Sequence, residues 1–338
     1  MSILVLRPGP LTTVQDLGRP GRQHLGVPVN GAMDEVSHRV ANMLVGNDED
    51  EATLEFTLQG ASLRFEEDAV VALCGADMGG TAGPQAMPWW RPVRIPGGTT
   101  LTLGRAELGA RAYLAVAGGF DLPRVLGSRA SALVGGYGGL EGRALRKGDA
   151  LPLRDPAVAH QPKWVRLLVR QRRGLAYPSW SASRGGLPHR VRPQVVRVLQ
   201  GPHWSSFPVQ ARTDLGRALF QVGPDSDRMG FRLRGAPLAR RRGAEVLSEG
   251  VVMGAIQVPP SGDPIVLMAD RQTAGGYPVI AVVAAADLPL MAQMAPAEDL
   301  QLRLVTVAEA HDALATLHAH LARLRQALAD RLAYEAGP

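Results

Sequence analysis

Cysteine is almost absent from this 338-residue chain, and the single Cys74 excludes an internal disulfide and any cysteine-built zinc site. Lysine is nearly as scarce: Lys147 and Lys163 are the two lysines among 37 basic residues. The net charge of +6 therefore rests on scattered arginine, with short clusters at Arg170–Arg172–Arg173 and Arg240–Arg241–Arg242. No aromatic-flanked basic motif or helix-turn-helix pattern goes with them, so nucleic-acid binding is not expected. Apolar runs are short. None approaches the roughly 20 residues of a membrane span, and Val279–Ala286 stops at Asp287. The start Met1-Ser2-Ile3-Leu4-Val5-Leu6-Arg7-Pro8 lacks the basic region of a signal peptide, and a cytoplasmic location is expected.

Catalytic signatures are missing too. There is no G-x-x-x-x-G-K-[ST] phosphate loop and no G-x-S-x-G elbow. His318 and His320 stand two apart on a helix and point away from each other, so no metal is expected. No Met-Lys-Met biotinylation site occurs, which leaves any biotin to another chain. Cys74 ends an apolar run with nothing nearby to lower its pKa, and reads as a structural thiol.

What is present is turn-rich β sequence. Gly 39 and Pro 26 are high, aromatics are 5%, and 46% of residues are hydrophobic. Many short strands between tight turns produce that balance. Strands are predicted at 2–7, 69–74, 99–103, 112–117, 195–199, 264–268 and 278–283. A helix is predicted over 35–44, capped by Asp34, with Val36, Val40, Met43 and Leu44 on one face. The stretch 308–333 has neither Gly nor Pro, and Leu314, Leu317, Leu321, Leu324 and Leu328 recur at steps of three and four. That is an amphipathic helix, able to pack on its own domain or on a partner. The length exceeds the roughly 250–300 residues at which single cores stop growing. The expected division is 1–190, 191–305 and a C-terminal helix over 306–338, with an Arg-, Pro- and Gly-rich junction at 155–195.

Polar residues crowd into Gly-rich loops. The densest is Asp270-Arg271-Gln272-Thr273-Ala274-Gly275-Gly276-Tyr277. Arg271 offers a planar fork for a carboxylate or phosphate, Gln272 and Thr273 suit an amide or ureido group, and the glycines admit close backbone approach. The simpler reading is turn chemistry, in which Asp and Thr bond the loop backbone. Further clusters lie at Pro224–Arg232, Leu247–Gly250, Gly254–Pro259, Leu11–Gly21 and Asn30–Asp34.

These segments resemble the allophanate hydrolase subunit 2 family, also called the 5-oxoprolinase C-subunit, biotin-dependent carboxyltransferase-like or kinase-inhibitor antagonist family. The resemblance is carried by Pro10-Leu11-Thr12-Thr13-Val14-Gln15-Asp16-Leu17-Gly18-Arg19-Pro20-Gly21, Ala41–Asn47, Ala115–Asp121, Val125–Arg129, Asp227-Arg228-Met229-Gly230, Ser248–Val251, Ile256–Pro259 and Ala269–Pro278. It implies a mainly β fold of two cyclophilin-like β-barrel domains with a few helices, and a homologue of the family's subunit 1, or B-type subunit, as partner. Three settings follow. The first is membership of an ATP-dependent 5-oxoprolinase complex, working with that partner and a third subunit on a small lactam or amide. The second is carboxyl transfer from carboxybiotin, carried on another chain, to urea or a similar amide. The third is non-catalytic antagonism of a kinase inhibitor. The absence of fused carboxylase or biotinyl domains favours the first, in which the complex uses ATP and no cofactor is assigned to this chain. On that reading Asp270, Glu249 and Gln272 are the catalytic candidates. Arg228 or Arg271 would hold a carboxylate, and Gln257, Thr273, Gly275, Gly276, Tyr277, Gln15 and Asp16 would complete the binding set.

Overall fold

The computed structural model describes residues 1–154, 174–182, 192–241 and 246–335. The domain boundary expected near 190, the Arg170–Arg173 cluster and most of the junction expected at 155–195 lie outside these residues. By packing, the chain forms two compact units. One comprises Met1–Arg19, Asp34–Gly185 and Ala319–Pro338; the other comprises Pro20–Met33 and Gly186–His318.

Among the described residues the first unit holds eleven strands: β1 (Ser2–Arg7), β2 (Thr12–Gln15), β3 (Thr53–Thr57), β4 (Ser62–Phe65), β5 (Ala69–Asp77), β6 (Thr81–Ala82), β7 (Gln85–Ala86), β8 (Val93–Ile95), β9 (Thr100–Thr102), β10 (Leu108–Val116) and β11 (Ala150–Pro152). They are shared between a six-stranded sheet, β11-β1-β4-β9-β6-β7, and a five-stranded sheet, β2-β3-β10-β5-β8. Alternation sets the core: Ile3 and Val5 of β1 and Leu63 and Phe65 of β4 are buried, as a period of two requires. The helix Glu35–Val45 starts where Asp34 Oδ1 accepts the Ser37 N–H at 3.0 Å, the predicted cap. This unit also seals a polar network. His38 Nδ1 lies 2.9 Å from Thr53 Oγ1, and the Tyr113 hydroxyl donates to Glu55 Oε2 and accepts the Asp34 N–H, each at 2.8 Å. Burial, reinforced by the neighbouring Arg39 charge, lowers the His38 pKa to about 3. Burial also raises the Tyr113 phenol well above its ordinary value.

The second unit is a closed barrel. Its strands are β12 (Gln194–Gln200), β13 (Leu219–Val222), β14 (Gly230–Arg234), β16 (Ala255–Gln257), β17 (Ile265–Leu267), β19 (Val279–Val283) and β20 (Asp299–Leu304), in the order β12-β19-β16-β17-β14-β13-β20. A separate ribbon pairs β15 (Glu249–Gly250) with β18 (Ala274–Gly275). The parallel pair β12–β20 belongs to the ring; a ring leaves no open edge. Inward positions carry Val196, Val198, Phe220, Phe231, Leu233, Ile256, Val266, Ile280, Leu300 and Leu302, joined by Met33 from the Pro20–Met33 segment. Burying a side chain such as Phe231 contributes about 2–3 kcal/mol.

The predicted strands match β1, β5, β9, β10, β12, β17 and β19 within a few residues. The other thirteen strands among the described residues, each two to six residues long, and the helices Val209–Arg217 and Leu288–Ala292 have no counterpart among the predicted elements; they are too short to show a clear period. The C-terminal helix runs Val307–Glu335. It opens on a capping box in which Thr306 Oγ1 accepts the Glu309 N–H and Glu309 Oε2 accepts the Thr306 N–H, a device that satisfies otherwise orphaned donors. Leu317, Leu321 and Leu328 are buried within the chain, and Arg325 Nε donates to Glu49 Oε1 at 2.7 Å. Packing within the chain thus accounts for the leucine seam. Among the described residues no helix is long and apolar enough to cross a membrane.

Candidate functional site

Strand β14 points Phe231 and Leu233 inward, so Arg232 and Arg234 face outward. On the same outer face β17 presents Ile265 and Leu267, and β16 presents Gln257. Here lies a cavity of about 590 Å³, lined by Arg232, Arg234, Asp225, Gln257, Gln272 and Tyr277 among others. That volume falls within the range of small-molecule sites. An outward strand residue is ordinarily exposed, yet Gln257 is only 1% exposed because the loop between β17 and β19 folds over it.

That loop splits the predicted residues into two sets. Asp270 and Arg228 are 5% and 3% exposed and meet in a two-point ion pair: Arg228 Nε donates to Asp270 Oδ2 at 2.8 Å, and Nη2 to Oδ1 at 3.1 Å. Arg228 Nη2 also donates to Gly31 O at 2.6 Å, and Asn30 Nδ2 to Asp270 Oδ1 at 2.8 Å. Both charges are thus committed to one buried knot that fastens the segment 30–31 to the barrel. Arg271 is buried beside it and takes only long contacts, Nε to Val251 O at 3.5 Å and Nη1 to Met268 O at 3.4 Å. Desolvation lowers its pKa. No carboxylate pairs with it among the described residues.

The outward set is built around two carboxamides. Gln257 Nε2 donates to Tyr277 O at 3.3 Å, and Gln272 Nε2 reaches Gln257 Oε1 at 3.5 Å. Gly275 lies against both: a Cβ built there would stand 2.5 Å from Gln257 Nε2 and 3.3 Å from Gln272 Nε2. Here glycine is required by close approach. Gly275 pairs with Glu249 across β15–β18, Thr273 O accepts the Val251 N–H at 3.1 Å, and Gly276 is exposed beside Ser248. The Glu249 carboxylate is 42% exposed, with Oε1 3.7 Å from His203 Nδ1. Because that nitrogen accepts the Val279 N–H at 3.2 Å, its lone pair is engaged and it makes no hydrogen bond to Glu249.

Gln15 and Asp16 belong to the first unit. Asp16 organises its own loop, accepting from Gly18 N at 2.7 Å, Ser128 Oγ at 2.6 Å and Arg129 N at 2.5 Å. Gln15 donates to Thr13 Oγ1 at 3.1 Å and Ser131 O at 3.3 Å. Sequence reasoning misses Arg234, Asp263, Ser261 and His203. The alternation Phe231-Arg232-Leu233-Arg234 marks Arg234 as outward, but nothing in the sequence shows what covers that face. Among the described residues no group of three or more His, Cys, Asp or Glu is placed to hold a metal.

The family model for the carboxyltransferase domain, subdomain A and B, matches residues 25–304. The chain belongs to this family. Relatives in it include the C subunit of 5-oxoprolinase from Escherichia coli K12, 39% identical over 86% of this chain and 87% of that protein. The C subunit of 5-oxoprolinase from Haemophilus influenzae is 35% identical over 88% and 89%. In the crystal structure of Kluyveromyces lactis urea carboxylase, the matching family region superposes with a TM-score of 0.84 at 29% identity. It covers 94% of this chain but 29% of that longer one. The expected mainly β class and C-terminal helix are observed; of the two expected barrels, the second unit closes into a ring, whereas the strands of the first unit form two sheets.

Proposed function

We propose that this chain is the C subunit of a 5-oxoprolinase, a lactam hydrolase that opens 5-oxoproline to glutamate with ATP and partner subunits. The observation that carries the reading is the likeness to two 5-oxoprolinase C subunits along nearly the full length of each. The cavity supports it chemically. Gln257 and Gln272 supply amide donors and acceptors. Arg232 and Arg234 share the single carboxylate of Asp225, at 3.2 and 3.9 Å, and retain donors for the substrate carboxylate. Glu249, half-exposed and paired through its backbone with Gly275, is the candidate acid or base, whereas Asp270 is closed in its ion pair. Ring opening adds water across the lactam C–N bond: the carbonyl carbon takes the hydroxyl and the nitrogen takes the proton, a transfer suited to a carboxyl group.

A second reading is carboxyl transfer to an amide. The superposition on urea carboxylase favours it, and the same carboxamides would meet a ureido group. Co-expression with the B-type partner and the third subunit, followed by assay of glutamate release from 5-oxoproline, tests the first reading. ATP-dependent glutamate that vanishes when this chain is omitted supports it. Undiminished activity without this chain refutes it, and an assembled complex that yields no glutamate moves the weight to carboxyl transfer.

A further inference from the structure

The paired carboxamides carry more than general polarity. In a five-membered lactam the ring holds the amide cis, so its C=O and N–H lie side by side on one edge. Urea and the ureido ring of biotin present the same edge. A primary carboxamide is complementary to it, since its oxygen accepts the N–H while its own N–H donates to the C=O. Gln272 is placed to act this way. It is exposed at the cavity wall, one Nε2 hydrogen is directed at Gln257 Oε1, and Oε1 and the second hydrogen have no protein partner among the described residues. Gln257, buried and tied to Tyr277 O, fixes which way the Gln272 amide faces. Gly275 leaves the room for this contact.

We infer that Gln272 is the specificity-determining residue that reads a cis-amide edge by two parallel hydrogen bonds, with Gln257 as its positioning residue. The inference rests on the cavity being the substrate site of the activity proposed above. Sites built to hydrogen-bond a substrate reject analogues that leave their polar groups unpaired.

The test uses the assembled complex with 5-oxoproline and its lactone analogue, 5-oxotetrahydrofuran-2-carboxylate, in which oxygen replaces the N–H. The wild type should bind the lactam about tenfold more tightly than the lactone, the worth of one hydrogen bond. Gln272→Leu should raise KM for the lactam by about tenfold or more and erase the preference, with kcat changed by less than about threefold. Gln272→Glu keeps the acceptor and loses the donor, so it should weaken both ligands but keep the preference. Gln257→Glu, which keeps the oxygen that Gln272 donates to, should retain more discrimination than Gln257→Leu. An undiminished lactam preference in Gln272→Leu overturns the inference while leaving the activity standing. Should the complex release no glutamate, the activity reading fails instead. Calorimetric binding of 5-oxoproline, urea and biotin to wild type and Gln272→Leu then decides: a cis-amide ligand lost with Gln272 upholds the inference, and no such dependence overturns it.

Discussion

Within the loop joining β17 to β19, Asp270 and Arg271 are 5% and 7% exposed, whereas Tyr277 is 45% exposed and Gln272 stands at the cavity wall. Both halves are dense in polar side chains, and they use them in opposite ways. The inward half spends its charge on the protein: Asp270 neutralises Arg228 and accepts from Asn30. The outward half leaves hydrogen-bonding capacity over, because Gln257 and Gln272 meet each other only through one long contact of 3.5 Å. A buried ion pair must be satisfied internally, since removing one partner strands a desolvated charge. An amide at a cavity wall carries no such requirement and can serve a ligand.

Breaking the inward half should have the largest effect. Asp270→Ala leaves Arg228 uncompensated and should cost about 3–5 kcal/mol in denaturant unfolding. An Asp270→Leu/Arg228→Met double variant should regain much of that loss; a single-variant cost below about 1 kcal/mol would place the pair with exposed ion pairs instead.

The sealed His38 network of the first unit extends the inward class. Its pKa is about 3 folded and 6.5 unfolded, so between those values the unfolded chain binds more protons. Stability is then fully present above about pH 6.5 and falls by about 1.4 kcal/mol per unit below it, or about 2 kcal/mol by pH 5. Unfolding curves of wild type and His38→Gln across this range should show the slope flattened in the variant.

Gly275→Ala sharpens the outward half. The new methyl would press on Gln257 Nε2, the end of a side chain that can shift, so the expected result is a KM about tenfold higher with unfolding free energy changed by less than about 1 kcal/mol. The smallest effect is expected at Tyr277, whose carbonyl, not its hydroxyl, holds Gln257. Tyr277→Phe should move KM by less than about twofold, within the range of neutral surface changes; a tenfold rise would put the hydroxyl on the substrate.

Much of this is legible in the sequence. The Asp34 cap, the alternating strands and the leucine seam of the C-terminal helix are local patterns, and local patterns are what periodicity reports. The loop 269–278 stands out for the same reason. Its division into two halves does not, because Asp270 and Arg271 are as polar on paper as Gln272. Asp270 is held by Arg228, 42 residues away, and Asn30, 240 residues away, and Arg271 lies against the carbonyls of Val251 and Met268. Gln257 shows the same limit: its strand position gives its face, but only the loop folding back over the barrel makes that face a cavity wall.

By itself the sequence determined the mainly β class, the family and the loops in which polar groups gather. These follow from side-chain period, turn residues and contiguous motifs, all encoded within a few neighbours along the chain. The tertiary structure alone decided which polar groups neutralise each other and which remain available. Ring closure of the barrel sets those pairings, and a charge is either compensated or left over according to what the fold brings within hydrogen-bonding distance.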